Sequence, residues 1–318
     1  MVMKNSKRVF LFIEMILGSM VVILASLMIR EKNGEELDKI SVIVQNSDDN
    51  QWTAFQYGLK MAAEDKKIEL FVVSTGEEFT AEEQKAMIEK EIAKGADGII
   101  VQPVPGEESR KMLKKIEKKV PVMLVESTVD REKTSDAFPV TEPEHYEMGV
   151  TLAKELLKDY NGNVKNKTIG LFAENRDTEA VAARESGLLD TLKDKGAVVL
   201  WSVSEKLQEQ QKVDFVIALD DNSLVRVGAA AATNNLHGSL VYGIGKSTEA
   251  VYYLDTGIAE CLVVPDAFNM GYQSLSQMAE KLEHFFYTMP GKKIPYIVLR
   301  RDTLFSKENQ ELLFTMSQ

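Results

Sequence analysis

From residue 39 to residue 266 short apolar runs bounded by turn residues alternate with stretches of helical periodicity, and that alternation constrains the fold more than any other feature of the chain. "KISVIVQN" (39–46) reads as a strand and "QWTAFQYGLKMAAEDK" (51–66) as the helix after it. "IELFVVS" (68–74) and "TAEEQKAMIEKEIAKG" (80–95) repeat the unit. "ADGIIVQP" (96–103), a helix over about 107–118, "VPVMLVES" (120–127) and a short fifth strand in "AFPV" (137–140) complete a first series. A second series follows. It comprises a helix over 144–160, "KTIGLFAE" (167–174), a helix over 178–195, "AVVLWSV" (197–203), "DFVIALD" (214–220), a helix over 222–235, "SLVYGIG" (239–245), a helix over 247–256 and "ECLVVPD" (260–266). Strands alternating with helices predict a parallel sheet with crossover helices. The apolar runs are continuous rather than alternating, which is the pattern of strands covered on both faces. The expectation is an α/β chain with two doubly wound, parallel-sheet lobes.

In sheets of this kind ligands bind beyond the carboxyl ends of the strands. That rule selects "NSDDNQW" (46–52), Gln102, Glu126-Ser127, "ENRD" (174–177), Asp220-Asp221, Gly245-Lys246 and Asp266. The set is rich in carboxylates and amides and includes a tryptophan. Gly245-Lys246-Ser247 imitates the end of a phosphate-binding P-loop, but that pattern needs a glycine five residues before the lysine-bearing pair. Position 240 is Leu, so the stretch reads as a tight turn at a cleft.

Net charge is −11, and no basic block after residue 40 goes unmatched by acids, so a nucleic-acid partner is not expected. The single cysteine, Cys261, lies in an apolar run and reads as a small buried hydrophobe. His145, His237 and His284 stand singly, without metal-ligand spacing, and read as surface residues. Glu126 and Asp49 could form an acid/base pair, but no nucleophile–base set accompanies them. The chain therefore reads as non-catalytic, with no cofactor and no metal.

The N-terminus carries a different signal. Lys4, Lys7 and Arg8 precede an apolar stretch over 9–29, whose 21 positions would span roughly 31 Å as a helix, the thickness of a hydrocarbon core. The charge bias predicts a cytoplasmic tail (1–8), a transmembrane signal anchor (9–29), a linker (30–38) and an extracytoplasmic remainder. A cleaved signal peptide fits less well, because the apolar region is long and no small-residue cleavage site follows it.

"SVIVQNSDDNQWTAFQYGLKMAAED", "AKGADGIIVQPV", "VPVMLVES", "AARESGLLDTL", "ALDD", "VYGIG" and "TGIAECLVVPDAFNMGYQSL", in this order and spacing, resemble the type I periplasmic solute-binding proteins, the ribose-binding-like group related to bacterial repressor effector domains. The resemblance covers about 39–318. It implies an N-lobe (39–142 and 267–295) and a C-lobe (143–266 and 296–318), joined by three hinge strands and closing on a small polar, sugar-like solute. It places Arg184 on the arginine that clamps sugar hydroxyls and Trp52 on an aromatic that stacks on a sugar face. Asp49 and Glu126 replace an asparagine and an aspartate, and Asp220 falls on an inward-pointing position. Gly245 stands where sugar binders carry an aspartate, and Pro265 where a glutamine is usual. The expected ligand-binding set is Asp49, Gln51, Trp52, Gln102, Glu126, Arg184, Asp220, Gly245 and Asp266. A repressor would carry a helix-turn-helix where this chain has its apolar stretch. The resemblance implies delivery of solute to an ABC permease; the alternative is a sensing module reporting to a membrane partner such as a sensor histidine kinase.

Overall fold

Two six-stranded sheets organise the chain beyond residue 38. The computed structural model describes residues 14–21, 37–76, 79–129, 136–174 and 176–317. Residues 14–21 are helical (α1) and belong to a separate unit that ends at Asp38. The rest of the expected membrane span lies outside the described residues. Among the described residues no helix is long and apolar enough to cross a membrane.

The first sheet contains β1 (Lys39–Gln45), β2 (Glu69–Thr75), β3 (Gly98–Val101), β4 (Val122–Val125), β5 (Val140–Pro143) and β11 (Lys292–Ile294), in the order β11-β5-β4-β3-β1-β2 and parallel throughout. Its helices are α2 (Thr53–Lys66), α3 (Ala81–Ala93), α4 (Glu107–Ile116) and α9 (Ala267–Glu283). β1 shows why the runs are continuous. Ile40, Val42 and Val44 pack with Phe55, Leu59 and Met278 on one face, and Ile43 packs with Ile88 and Leu113 on the other. The fifth strand starts at Val140 rather than at 137, because Pro139 has no N–H for a ladder and only its carbonyl pairs, with Leu124 N.

The second sheet holds β6 (Thr168–Phe172), β7 (Val198–Val203), β8 (Phe215–Ala218), β9 (Leu240–Ile244), β10 (Ala259–Pro265) and β12 (Tyr296–Leu299), in the order β12-β10-β9-β8-β6-β7. Only the edge strand β12 runs antiparallel, to β10. α5 (His145–Asp159) and α6 (Glu179–Leu192) pack on one face through Met148, Leu152 and Leu188 against Ile169 and Leu171. α7 (Asp221–Ala232) and α8 (Thr248–Asp255) close the other through Leu224, Val227 and Leu254.

The chain passes between the sheets after β5, after β10 and between β11 and β12. Asp266 N donates to Pro295 O at 3.0 Å, tying two of these crossings together. The last helix, α10 (Gln310–Met316), corrects the expectation that the tail after 296 stays with the second lobe. It packs against α2 and α9, where Leu312, Leu313 and Met316 cover apolar surface of the first lobe.

Candidate functional site

The strand ends of the two sheets meet around one cavity. Gln51, Trp52, Gln102, Glu126, Arg184, Asp220 and Gly245 from the expected set all line it, together with Gln45, Ser127, Asp221, Lys246 and Pro265. Asp49 and Asp266 do not. Asp49 precedes a 3-10 turn (Asn50–Trp52) and its carboxylate accepts from Gln51 Nε2 at 3.4 Å. Asp266 caps α9, accepting from Asn269 N at 2.9 Å, and burial raises its pKa above the usual aspartate range.

Trp52 is buried at the start of α2. Its indole N–H donates to Gln45 O at 2.8 Å, and its ring meets Phe55 edge-on at 5.3 Å. Its ring face is covered by Lys246, whose Nζ stands 4.4 Å from the centroid. The same ammonium donates to Glu126 Oε2 at 2.8 Å. Arg184, on the inward face of α6, donates from Nη2 to Glu126 Oε1 at 3.0 Å, from Nη1 to Leu219 O at 3.0 Å and from Nε to His145 Nδ1 at 3.1 Å. Glu126 thus takes two cations from the second lobe, one on each carboxylate oxygen. Burial alone would raise its pKa, but Lys246 and Arg184 hold it down to about 2, so it stays ionised. Its backbone lies in the left-handed region, with φ +65°, a conformation that costs a non-glycine residue of order 1–3 kcal/mol and that clusters at functional sites.

The cluster extends to His145. Because Arg184 Nε donates to its Nδ1, the imidazole carries its proton on Nε2 and donates it to Glu126 O at 2.6 Å. Burial first, and Arg184 second, push its pKa down to about 3. His145 is therefore not the surface histidine that its isolation in the sequence implied. The spacing His145, Met148, Gly149, Leu152 puts it on the buried face of α5, and that periodicity is the signal that identifies it.

On the second lobe, Asp220 caps α7. Its Oδ1 accepts from Ser223 N at 2.8 Å, while Oδ2 is buried with no hydrogen-bond partner. Asp221 accepts from Lys246 N at 2.5 Å and Ser247 N at 2.9 Å, so a carboxylate fastens the turn between β9 and α8. Burial raises its pKa. Gly245 admits no side chain, because a Cβ there would stand 2.6 Å from Ala250 Cβ and 2.7 Å from Leu224 Cδ2. Lys246, one residue on, is the side chain this turn sends into the cavity. Gln102 Oε1 accepts from Gln45 N at 2.9 Å, which holds the amide at the rim. Further bonds run between the lobes: Gln51 Nε2 donates to Asn222 Oδ1 at 3.1 Å and Asn50 Nδ2 to Glu249 Oε1 at 2.5 Å.

Chemically the cavity offers fixed charges, amides and an aromatic wall, a set suited to gripping a polar molecule. Among the described residues, the three with metal-ligand geometry, Glu280, Glu283 and His284, do not line it.

A comparison with curated protein sequences gives no significant match. Residues 40–284 match the family model described as a periplasmic binding protein domain. A glucose-galactose binding protein, GanP, from Geobacillus stearothermophilus superposes with a TM-score of 0.73 at 17% identity, over 85% of this chain and 100% of that one. A carbohydrate transporter solute binding protein from Agrobacterium radiobacter, in complex with D-arabinose, gives 0.76 at 18% identity, over 88% and 99%. A chain of a XylFII-LytSN complex gives 0.71 at 14% identity, over 84% and 98%.

Proposed function

Because the chain belongs to the periplasmic binding protein domain family, we propose that it is an extracytoplasmic, non-enzymatic solute receptor whose two lobes hold a sugar or related polar small molecule. The observation that carries this reading is the cavity between the strand ends where Trp52 and Glu126 of the first lobe meet Arg184 and Asp220 of the second. A closing cleft needs a ligand that engages both lobes, since closure is favoured only by groups with different affinities for the open and closed states. Structural neighbours described as binding glucose, galactose or arabinose support a carbohydrate.

Delivery to an ABC permease is the primary reading, and the apolar stretch over 9–29 would tether the receptor to the membrane. A tether favours a second reading, in which the module reports occupancy to a membrane partner such as a sensor histidine kinase, because delivery gains from mobility and sensing does not. The neighbour solved in a XylFII-LytSN complex shows that a protein of this fold assembles with a further chain.

Mass spectrometry of small molecules retained by the purified protein, followed by calorimetry with the molecule found and with pentoses and hexoses, tests the proposal. A polar solute binding one per chain is expected. Heatless titrations across the sugars, with no retained molecule, would sink it.

A further inference from the structure

Lys246 Nζ occupies the place where two attractions converge. It stands 4.4 Å over the Trp52 ring and 2.8 Å from Glu126 Oε2. Both partners belong to the first lobe and Lys246 to the second, and all three side chains are buried. An ammonium over an aromatic face and against a carboxylate is held by the ring quadrupole and by a charge-assisted hydrogen bond together. With the lysine there, the cavity that remains is about 60 Å³, against roughly 300–1,000 Å³ for small-molecule sites.

A ring laid on the Trp52 face must therefore displace the ammonium. Glu126 Oε1 keeps Arg184, but Oε2 is left buried without its cation. A solute hydroxyl restores a hydrogen bond there and not the charge, whereas a solute ammonium restores both. A second acceptor waits in the same cavity, since Asp220 Oδ2 is buried and unpartnered. Apart from Lys246 itself, Arg184 is the one cation among the residues that line the cavity, and its guanidinium is already bonded to Glu126, His145 and Leu219.

We propose that the Trp52–Glu126 face is an ammonium subsite, that Lys246 is its tethered occupant, and that the cleft selects a hydroxylated ring bearing a primary ammonium, an amino sugar, over the neutral sugar of the same ring. The selection rests on the solute-receptor reading above; the subsite itself does not.

Two measurements on the full chain separate these. The first is calorimetry with D-glucosamine and D-glucose at mildly acid pH, where the amine is protonated. The parent binds glucosamine more tightly by about tenfold, the gap between charge-assisted and neutral hydrogen bonds. Lys246→Ala tightens both sugars alike, because the tethered competitor is gone, and Glu126→Gln brings their ratio towards one. Equal affinities in the parent, or a Lys246→Ala variant that binds both sugars more weakly, would overturn the proposal.

The second measurement needs no sugar. Trp52 and Trp201 are the two tryptophans of the chain, so a Trp201→Phe background makes emission report on Trp52. Lys246→Ala changes that emission, and methylammonium restores it, but not when Glu126→Gln is added. If neither sugar binds any variant, the receptor reading fails while methylammonium rescue still supports the subsite. Emission indifferent both to Lys246→Ala and to methylammonium overturns the subsite. Should Lys246→Ala fail to fold, Lys246→Met keeps the stem on the indole without the charge, and its two sugar affinities carry the test of displacement.

Discussion

The backbones of α5 and α6 approach so closely at Gly149 that a Cβ there would stand 1.9 Å from the carbonyl oxygen of Arg184. Gly187 returns the contact, with its own Cβ position 2.1 Å from Tyr146 O. The first lobe repeats the device between α2 and α9. A Cβ on Gly58 would lie 2.0 Å from Phe268 O, and one on Gly271 would lie 2.1 Å from Phe55 O. Each lobe thus seats on its sheet a helix pair whose spacing is set by two facing glycines.

Gly149→Ala forces backbone against backbone, where no flexible side chain can yield. We expect a loss of ~1–3 kcal/mol, the usual cost of overpacking. Because α6 carries Arg184, solute affinity should fall with stability. Gly76→Ala, where nothing lies within 4 Å of the added Cβ, should stay within about 0.5 kcal/mol of the parent. Urea denaturation of the two variants checks this; equal midpoints would mean that the helices can separate without cost.

Stability should fall with acid in two stages. His145 has its pKa pushed from 6.5 to about 3 by burial and by Arg184, so the unfolded chain binds a proton there that the folded chain refuses. Stability is full above pH 6.5 and declines as pH drops towards 3, by roughly 1.4 kcal/mol per unit for one proton. Glu126 is held down from 4.5 to about 2 by Lys246 and Arg184 against the effect of burial, so its contribution is present above 4.5 and is lost as pH falls towards 2. The slope should steepen below 4.5. Denaturation series from neutral to acid pH on the parent and on His145→Gln are the check. A variant with an unchanged slope between 6.5 and 4.5 would assign the titration to another group.

The apolar stretch over 9–29 predicts that the mature chain keeps its N-terminus and stays with membranes through high salt and alkaline washing. N-terminal sequencing of the membrane-extracted protein reads this directly. A mature chain beginning near residue 30 would show a cleaved signal peptide instead.

The alternation of elements was legible in the sequence because each sheet is covered on both faces, which leaves runs such as Ile40–Val44 apolar at nearly every position. The strand-end rule then reached residues that the structure brings to one cavity, Trp52, Glu126 and Asp220 among them, while Arg184, inside α6, was reached only through the family resemblance. Pairing lay beyond that reading. Lys246 and Glu126 are 120 residues apart, and no local period tells which carboxylate a lysine at a strand end will meet. Gly245 was legible as a glycine at a tight turn, whereas the collision with Ala250 and Leu224 that excludes a side chain depends on helices packed against it. The tail after β12 had too short an amphipathic pattern to show that α10 would return to the first lobe.

Asp220 separates a structural duty from a binding duty in one side chain. Oδ1 caps α7 through Ser223 N at 2.8 Å, whereas Oδ2 is buried with no partner in the cavity wall. Asparagine caps a helix as well as aspartate does, so Asp220→Asn keeps the first duty. It also removes a buried negative charge, which is costly to hold unpaired. Stability in the absence of solute should therefore be unchanged or slightly raised. A hydroxyl or ammonium donated to Oδ2 would lose a charge-assisted partner, and affinity should drop by about 1.5–3 kcal/mol, roughly tenfold to a hundredfold. Asp220→Ala loses cap and acceptor together, costing a further ~1 kcal/mol of stability. Paired unfolding and calorimetric measurements on the two variants distinguish the duties. If Asp220→Asn binds solute as tightly as the parent, Oδ2 does not face the ligand and the carboxylate serves α7 alone.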